Sequence, residues 1–217
     1  MADPSFRRAY DRGVCATGSD YQWHWRVKVG LWVATCASRL PGDLVECGVN
    51  RGFLSSGIMD YLNWDSLGKH FYLLDTFKGI DERFVSAEDK AAGVLQKNRA
   101  NLASGFYANG SDDVRANFAQ WKNLTLIEGA IPETLPQVRA DKIAYLHLDM
   151  NSSTPEVAAA DFSWERLVPG ALMLLDDYAY RSHRPQKVAM DRFAETRANK
   201  ILSLPTGQGL LIKPAQF

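Results

Sequence analysis

The chain has 217 residues, 46% of them hydrophobic and 23% charged, which provides for a sizeable core and excludes a disordered chain. Its 25 basic and 25 acidic side chains cancel to a formal net charge of zero, so it lacks the basic excess that binding to nucleic acid or an anionic membrane requires. Cys15, Cys36 and Cys47 form no CxxC pair, no apolar h-region follows the N-terminal MADPSFRRAYDRG, and no apolar run nears membrane length. These features argue against a disulfide framework, a zinc site and a membrane span, and predict a soluble cytoplasmic protein.

In chain order, YQWHWRVKVGLWVATCASRL (21–40) reads as a helix with a broad apolar face, within an N-terminal helical or lid segment over 1–40. Near-continuous apolar runs follow at DLVECG (43–48), FYLLD (71–75), LTLIEG (124–129), IAYLHLD (143–149) and ALMLLDD (171–177). Runs without strict alternation are the mark of strands buried on both faces. Helical patterns separate them: GFLSSGIMDYL (52–62), TPEVAAADFSWERL (154–167) and PQKVAMDRFAETRA (185–198), the last two with a proline in the first turn. Between strands two and three, 76–123 is longer than one crossover helix needs, and its polar part 81–118 reads as a lid-like insertion.

Alternating strands and helices imply a parallel sheet with right-handed crossovers. At the end, ILSL and LLIK in 200–214 are too close for a parallel crossover and predict an antiparallel pair. The prediction is therefore an α/β, Rossmann-like single domain over 1–217. Its seven-stranded sheet has the order 3-2-1-4-5-7-6, with strand 7 antiparallel. That closure favours a methyltransferase over a dehydrogenase.

The turn Glu46-Cys47-Gly48-Val49-Asn50-Arg51-Gly52 joins a strand to a helix with ExGxxxG spacing, not the dinucleotide GxGxxG. Glycines there let backbone N–H groups approach a ligand, and Asp75, ending the second strand, is placed to accept both ribose hydroxyls of an adenosine. As the structural alternative, the glycines only allow a tight turn. Asp149, Asp176 and Asp177 end the neighbouring strands four and five on the same sheet edge. Three such carboxylates repel unless a cation joins them, and hard oxygen ligands favour Mg²⁺ or Ca²⁺; each taken alone could equally be a helix or turn cap. His147 reads as a packed core residue, and His24 and His70 as structural or exposed. His183 falls in the loop over the crevice, within reach of a substrate. Hydrolase nucleophile motifs are absent.

GDLVECGVNRGFLS, FYLLDTFKGI, IEGAIPETLP, IAYLHLDMNSSTPEVAAADFSWERLVPGALMLLDDYAY and LSLPTGQGLLIKP together resemble the macrocin O-methyltransferase family, from about Tyr21 to the C-terminus. The resemblance implies a class I, S-adenosylmethionine-dependent, Mg²⁺-assisted O-methyltransferase acting on a hydroxyl of a sugar or other secondary metabolite. It implies cofactor contacts at Glu46, Gly48, Asn50, Gly52 and Asp75, and metal ligands at Asp149, Asp176 and Asp177. The family can carry an aspartate as general base two positions after the first metal ligand; Asn151 stands there in this chain and cannot accept a proton. Proton removal then falls to His183, to water or to a metal-linked carboxylate such as Asp149, and a chelating vicinal diol or catechol becomes an acceptor to weigh beside a sugar. The remaining alternatives are a nicotinamide-dependent oxidoreductase and a cofactor-binding protein that has lost catalysis. The expected partner is a small-molecule hydroxyl acceptor, with no nucleic acid or membrane; a homo-oligomer is left open.

Overall fold

The computed structural model describes residues 3–215. Seven strands form one sheet: β1 (Asp43–Cys47), β2 (Phe71–Asp75), β3 (Leu124–Glu128), β4 (Ile143–Leu148), β5 (Leu167–Leu175), β6 (Leu202–Ser203) and β7 (Gly209–Ile212). Their order is β3-β2-β1-β4-β5-β7-β6, with β1 to β5 parallel and β7 antiparallel to both β5 and β6, as the sequence predicts. Eight helices accompany them among the described residues: α1 (Pro4–Thr17), α2 (His24–Ala37), α3 (Phe53–Tyr61), α4 (Ala87–Ala91), α5 (Val94–Ala103), α6 (Asp112–Phe118), α7 (Ser153–Trp164) and α8 (Arg184–Glu195). No helix among the described residues is long and apolar enough to cross a membrane.

Side-chain alternation along the strands divides the core in two. Val45, Cys47, Leu146, Leu148, Met173 and Leu175 pack with Ala159, Ala160 and Trp164 of α7 and Met190 and Phe193 of α8. Leu44, Tyr145, Leu172 and Leu174 face the other way, against Phe6 and Tyr10 of α1, Leu31 and Ala34 of α2, and Phe53 and Ile58 of α3. The second face carries the polar residues that matter below. Glu46 and His147 continue it, and they are register partners across β1 and β4.

The first twenty residues contain a helix that the sequence reading left within a general N-terminal segment. Its caps are local: Asp3 accepts hydrogen bonds from the Ser5 and Phe6 N–H groups, Pro4 opens the first turn, and Gly18 ends it with φ +69°. The insertion is tied to the body by buried polar contacts. Asp89 Oδ2 accepts from the Ser153 N–H at 2.9 Å and the Ser153 hydroxyl at 2.6 Å, capping the start of α7. Asn98 Oδ1 accepts from the Ile80 N–H at 2.9 Å.

Candidate active site

A cavity of about 490 Å³ opens at the carboxyl ends of β1, β2, β4 and β5, a size suited to a cofactor with a small substrate. Its walls bring together Glu46, Gly48, Asn50, Asp75, Asp149, Asn151, Asp176, Asp177 and His183, so eight positions singled out from sequence at four separate places, and His183 besides, share one space. Gly52 is not among the lining residues, though its neighbours Arg51 and Phe53 are.

The glycine turn is built for shape. Gly48 has φ +93°, and a Cβ there would lie 2.0 Å from the Asp149 carbonyl oxygen, so only glycine lets β1 pass the end of β4 this closely. Gly52, at φ +85°, would drive a Cβ to 2.5 Å from the Phe118 ring of α6. Where the sequence reading expected N–H groups open to a ligand, those of Gly48, Val49 and Asn50 are engaged within the chain. The Gly48 N–H donates to the Leu74 carbonyl at 2.8 Å, and those of Val49 and Asn50 both donate to Asp75 Oδ2 at 2.7 Å. Asp75 Oδ1 accepts from the Phe77 N–H at 2.7 Å. The carboxylate therefore holds the turn, and its remaining capacity on Oδ1 suits one ribose hydroxyl instead of two. Burial raises the Asp75 pKa, against the three N–H groups that favour its charged form. Asn50 bridges to the insertion: its Nδ2 donates to the Phe106 carbonyl at 3.1 Å and its Oδ1 accepts from the Ala108 N–H at 2.8 Å.

Glu46 is buried. Its Oε1 lies 2.9 Å from His147 Nδ1, and its Oε2 has no partner within the chain. These residues would suit S-adenosylmethionine: a buried carboxylate oxygen without a donor can take an ammonium, while Phe77, Ala108, Ala130 and Ile131 line an apolar part of the same cavity. His147 is the packed core histidine that its place in β4 implies. Burial opposes its charging, but the carboxylates of Asp176 and Glu46 override this and push its pKa up to about 10. Its Nε2 stands 3.9 Å from Asp176 Oδ1, too far for a hydrogen bond, so that contact is ionic.

The aspartates do not stand free for a metal. Arg26 of α2 donates through Nη2 to the Asp176 carbonyl at 2.8 Å, to Asp176 Oδ2, and to Asp177 Oδ1 at 3.1 Å. Gln208 Nε2 donates to Asp176 Oδ1 at 3.0 Å, and Asn151 Nδ2 donates to Asp149 Oδ1 at 3.2 Å. Among the described residues, no three His, Cys, Asp or Glu side chains gather into a group able to hold a metal ion. The Mg²⁺ expected at Asp149, Asp176 and Asp177 does not fit this arrangement, because a guanidinium already spans two of its three ligands. Burial and the neighbouring charges of Asp176 and Asp177 raise the Asp149 pKa well above the usual carboxylate range. Burial would raise Asp176 too, but His147, Arg26 and Gln208 outweigh it and bring its pKa down to about 2.

His183 is buried beneath the loop after β5. Gln186 fixes its tautomer: Gln186 Nε2 donates to Glu156 Oε1 at 2.6 Å, leaving Gln186 Oε1 to accept from His183 Nδ1–H. His183 Nε2 then faces Lys97 Nζ at 2.8 Å and Asp177 Oδ2 at 3.6 Å, so its lone pair is already taken by the lysine. Of the other histidines, His24 stacks on Tyr10 at 4.4 Å between ring centroids and His70 Nε2 meets Thr125 Oγ1 at 2.8 Å. Sequence reasoning did not find Arg26, Trp23, Tyr180, Lys97 or Gln208, all of which line the cavity. Only the aromatic-basic string YQWHWR at the entry to α2 hinted at the first two.

Comparison with known proteins bears on this geometry. The model of the macrocin O-methyltransferase (TylF) family matches residues 32–203. The chain is 30% identical over 148 residues to the 8-demethyl-8-(2,3-dimethoxy-alpha-L-rhamnosyl)-tetracenomycin-C 4'-O-methyltransferase of Streptomyces olivaceus, covering 66% of this chain and 55% of that protein. It is 27% identical over 163 residues to the demethyldecarbamoylnovobiocin O-methyltransferase of Streptomyces niveus, covering 72% and 59%. The chain thus spans little more than half the length of these curated relatives. Among solved structures, the O-methyltransferase NovP shares the fold, with a TM-score of 0.74 at 21% identity over 88% of this chain and 80% of that one. Because the family model spans well over half of its residues, the chain belongs to the macrocin O-methyltransferase family.

Proposed function

We propose that this protein is an S-adenosylmethionine-dependent O-methyltransferase whose acceptor is a hydroxyl on the sugar moiety of a small molecule. The observation that carries the reading is the meeting, in one cavity, of the glycine turn with Asp75, the unpartnered Glu46 oxygen, and the carboxylates that follow β4 and β5. Family membership supplies the reaction class, and the two Streptomyces relatives, one named for a rhamnosyl substrate, support the acceptor class.

S-adenosylmethionine, when bound, supplies a methyl group on a sulfonium, already a good electrophile. What remains for the chain is alignment, exclusion of water and removal of the hydroxyl proton. Asp75 would hold one ribose hydroxyl, and Glu46 Oε2 would accept from the ammonium of the amino-acid end. Tyr21, Trp23 and Phe106, with ring centroids 4.8 to 6.2 Å apart, form an aromatic wall of the cavity on which the C–H face of a sugar ring can lie.

Asp149 is the proton acceptor in this reading. It lines the cavity, and its donor there is the neutral amide of Asn151, whereas Asp176 and Asp177 share the Arg26 cation. Asn151 orients Asp149 and does not itself take the proton. His183 is less suited, since Lys97 already occupies its Nε2. Mg²⁺ enters no step, and a chelating diol or catechol thereby loses its particular claim.

Calorimetry with S-adenosylmethionine, and with NAD as control, tests the cofactor. Turnover with a panel of glycosylated acceptors tests the acceptor class. Asp149→Asn should bind S-adenosylmethionine as the wild type does and lose about 10²- to 10⁴-fold in turnover, the range for removal of a general base. Binding of NAD in place of S-adenosylmethionine would end the reading, and a nearly unimpaired Asp149→Asn would remove Asp149 from the proton's path.

A further inference from the structure

We propose that Arg26 is the resident cation of this site: its guanidinium stands where a divalent ion would join Asp176 and Asp177, and the enzyme turns over without divalent metal. This rests on the methyltransferase reading above and concerns the same cavity. The first ground is the set of contacts already given, in which one guanidinium nitrogen serves a carbonyl and two carboxylates of the Asp176-Asp177 pair. The second is that aromatic rings flank the guanidinium, whose buried Nε has no partner among the described residues. Arg26 Cζ lies 5.3 Å from the Trp23 ring centroid and 5.1 Å from that of Tyr180, so two aromatic rings from separate elements flank the same cation. The Arg26 side chain is only 12% exposed, as are the carboxylates of its partners within a few per cent. A buried ion pair is strongly destabilised when one partner is removed, so it does not open readily to admit an ion.

The third ground is the strand register. Leu172 and Leu174 face α2, and Asp176 is the next position of that alternation, so the helix lying on this face delivers its one arginine to the end of β5. The fourth is that the trio is met from within the chain: Asn151 donates to Asp149, and Arg26 serves Asp176 and Asp177. Every carboxylate of the trio therefore has a donor from its own chain. Mg²⁺ demands a near-ideal octahedron of oxygens and tolerates no cation within its shell, so arginine and metal exclude one another here. Arg26 acts as a positioning residue. It fixes Asp176 and Asp177 and shapes the acceptor side of the cavity, while Asp149 is left to handle the proton.

The test uses the full chain and the metal alone. Mn²⁺ is titrated into metal-stripped protein and followed by electron paramagnetic resonance, and methyl transfer is measured in excess chelator. Wild-type protein should bind no Mn²⁺ at this site and should keep its rate in chelator. Arg26→Ala should uncover the Asp176 and Asp177 carboxylates and bind Mn²⁺ at least about tenfold more tightly than wild type, with Mg²⁺ competing. Arg26→Lys should again exclude the metal. Tight Mn²⁺ binding by the wild type, or loss of turnover in chelator that Mg²⁺ restores, would overturn the proposal even if Arg26→Ala fails to fold. A folded Arg26→Ala that gains no metal affinity would overturn it as well. Calorimetry with S-adenosylmethionine on the same samples separates the two readings: intact cofactor binding with a failed metal result refutes only the role of Arg26.

Discussion

Replacing Asp75 with alanine asks whether one carboxylate both holds the glycine turn and contacts the cofactor. In the folded protein it accepts three backbone N–H groups, from Val49, Asn50 and Phe77, each at 2.7 Å. Alanine leaves all three without an acceptor. A buried unpaired donor costs about 1–3 kcal/mol, and because this one borders a cavity that water can enter, the low end applies to each, or about 3 kcal/mol together. For a chain of this size that corresponds to a fall in Tm of about 6–12 °C. Asp75→Asn keeps one oxygen for two of the amides and turns an NH₂ toward the third, so its fall should be about half as large. Cofactor affinity should drop about tenfold in Asp75→Ala, the loss of one charge-assisted hydrogen bond of about 1.5 kcal/mol. Differential scanning calorimetry and isothermal titration with S-adenosylmethionine give the two numbers on one preparation. A variant that melts within about 2 °C of the wild type would refute the claim that the turn rests on this carboxylate, since three lost acceptors must cost more.

Two further outcomes follow from the site. His147 holds its proton more tightly folded than unfolded, with a pKa raised from 6.5 to about 10, so its stabilisation is complete below about pH 6.5 and is lost as the pH climbs toward 10. Thermal melts of the wild type should decline across that window and those of His147→Gln should decline less; parallel slopes would show that Glu46 and Asp176 do not hold a charged imidazole. Asn50→Ala removes both side-chain bonds between the glycine turn and the Phe106–Ala108 stretch, so hydrogen exchange at 104–110 should quicken and acceptor KM should rise, with unchanged exchange counting against a closed insertion held by this side chain.

The strand runs, the ExGxxxG turn, and the acidic residues at the ends of β2, β4 and β5 were legible without coordinates, for a local reason. A strand buried on both faces must be apolar along its length, and in a parallel sheet every such strand ends on the same edge, so Asp75, Asp149, Asp176 and Asp177 had to converge once the sheet was inferred. The caps of α1 at Asp3 and Gly18 were equally local and could have been used. What Gly48 and Gly52 are for lay beyond reach. Their space is filled by the Asp149 carbonyl and the Phe118 ring, and both lie far along the chain. The same holds for the donors around the carboxylates. Sequence shows that three acids meet but not which cation meets them, because Arg26 lies 150 residues from Asp176 and arrives only by the packing of α2 on one face of the sheet. Local patterning determined the elements and the edge at which they end; the pairing of charges across that edge was decided by tertiary packing, since Coulomb energy depends on distance in space and carries no mark of distance along the chain.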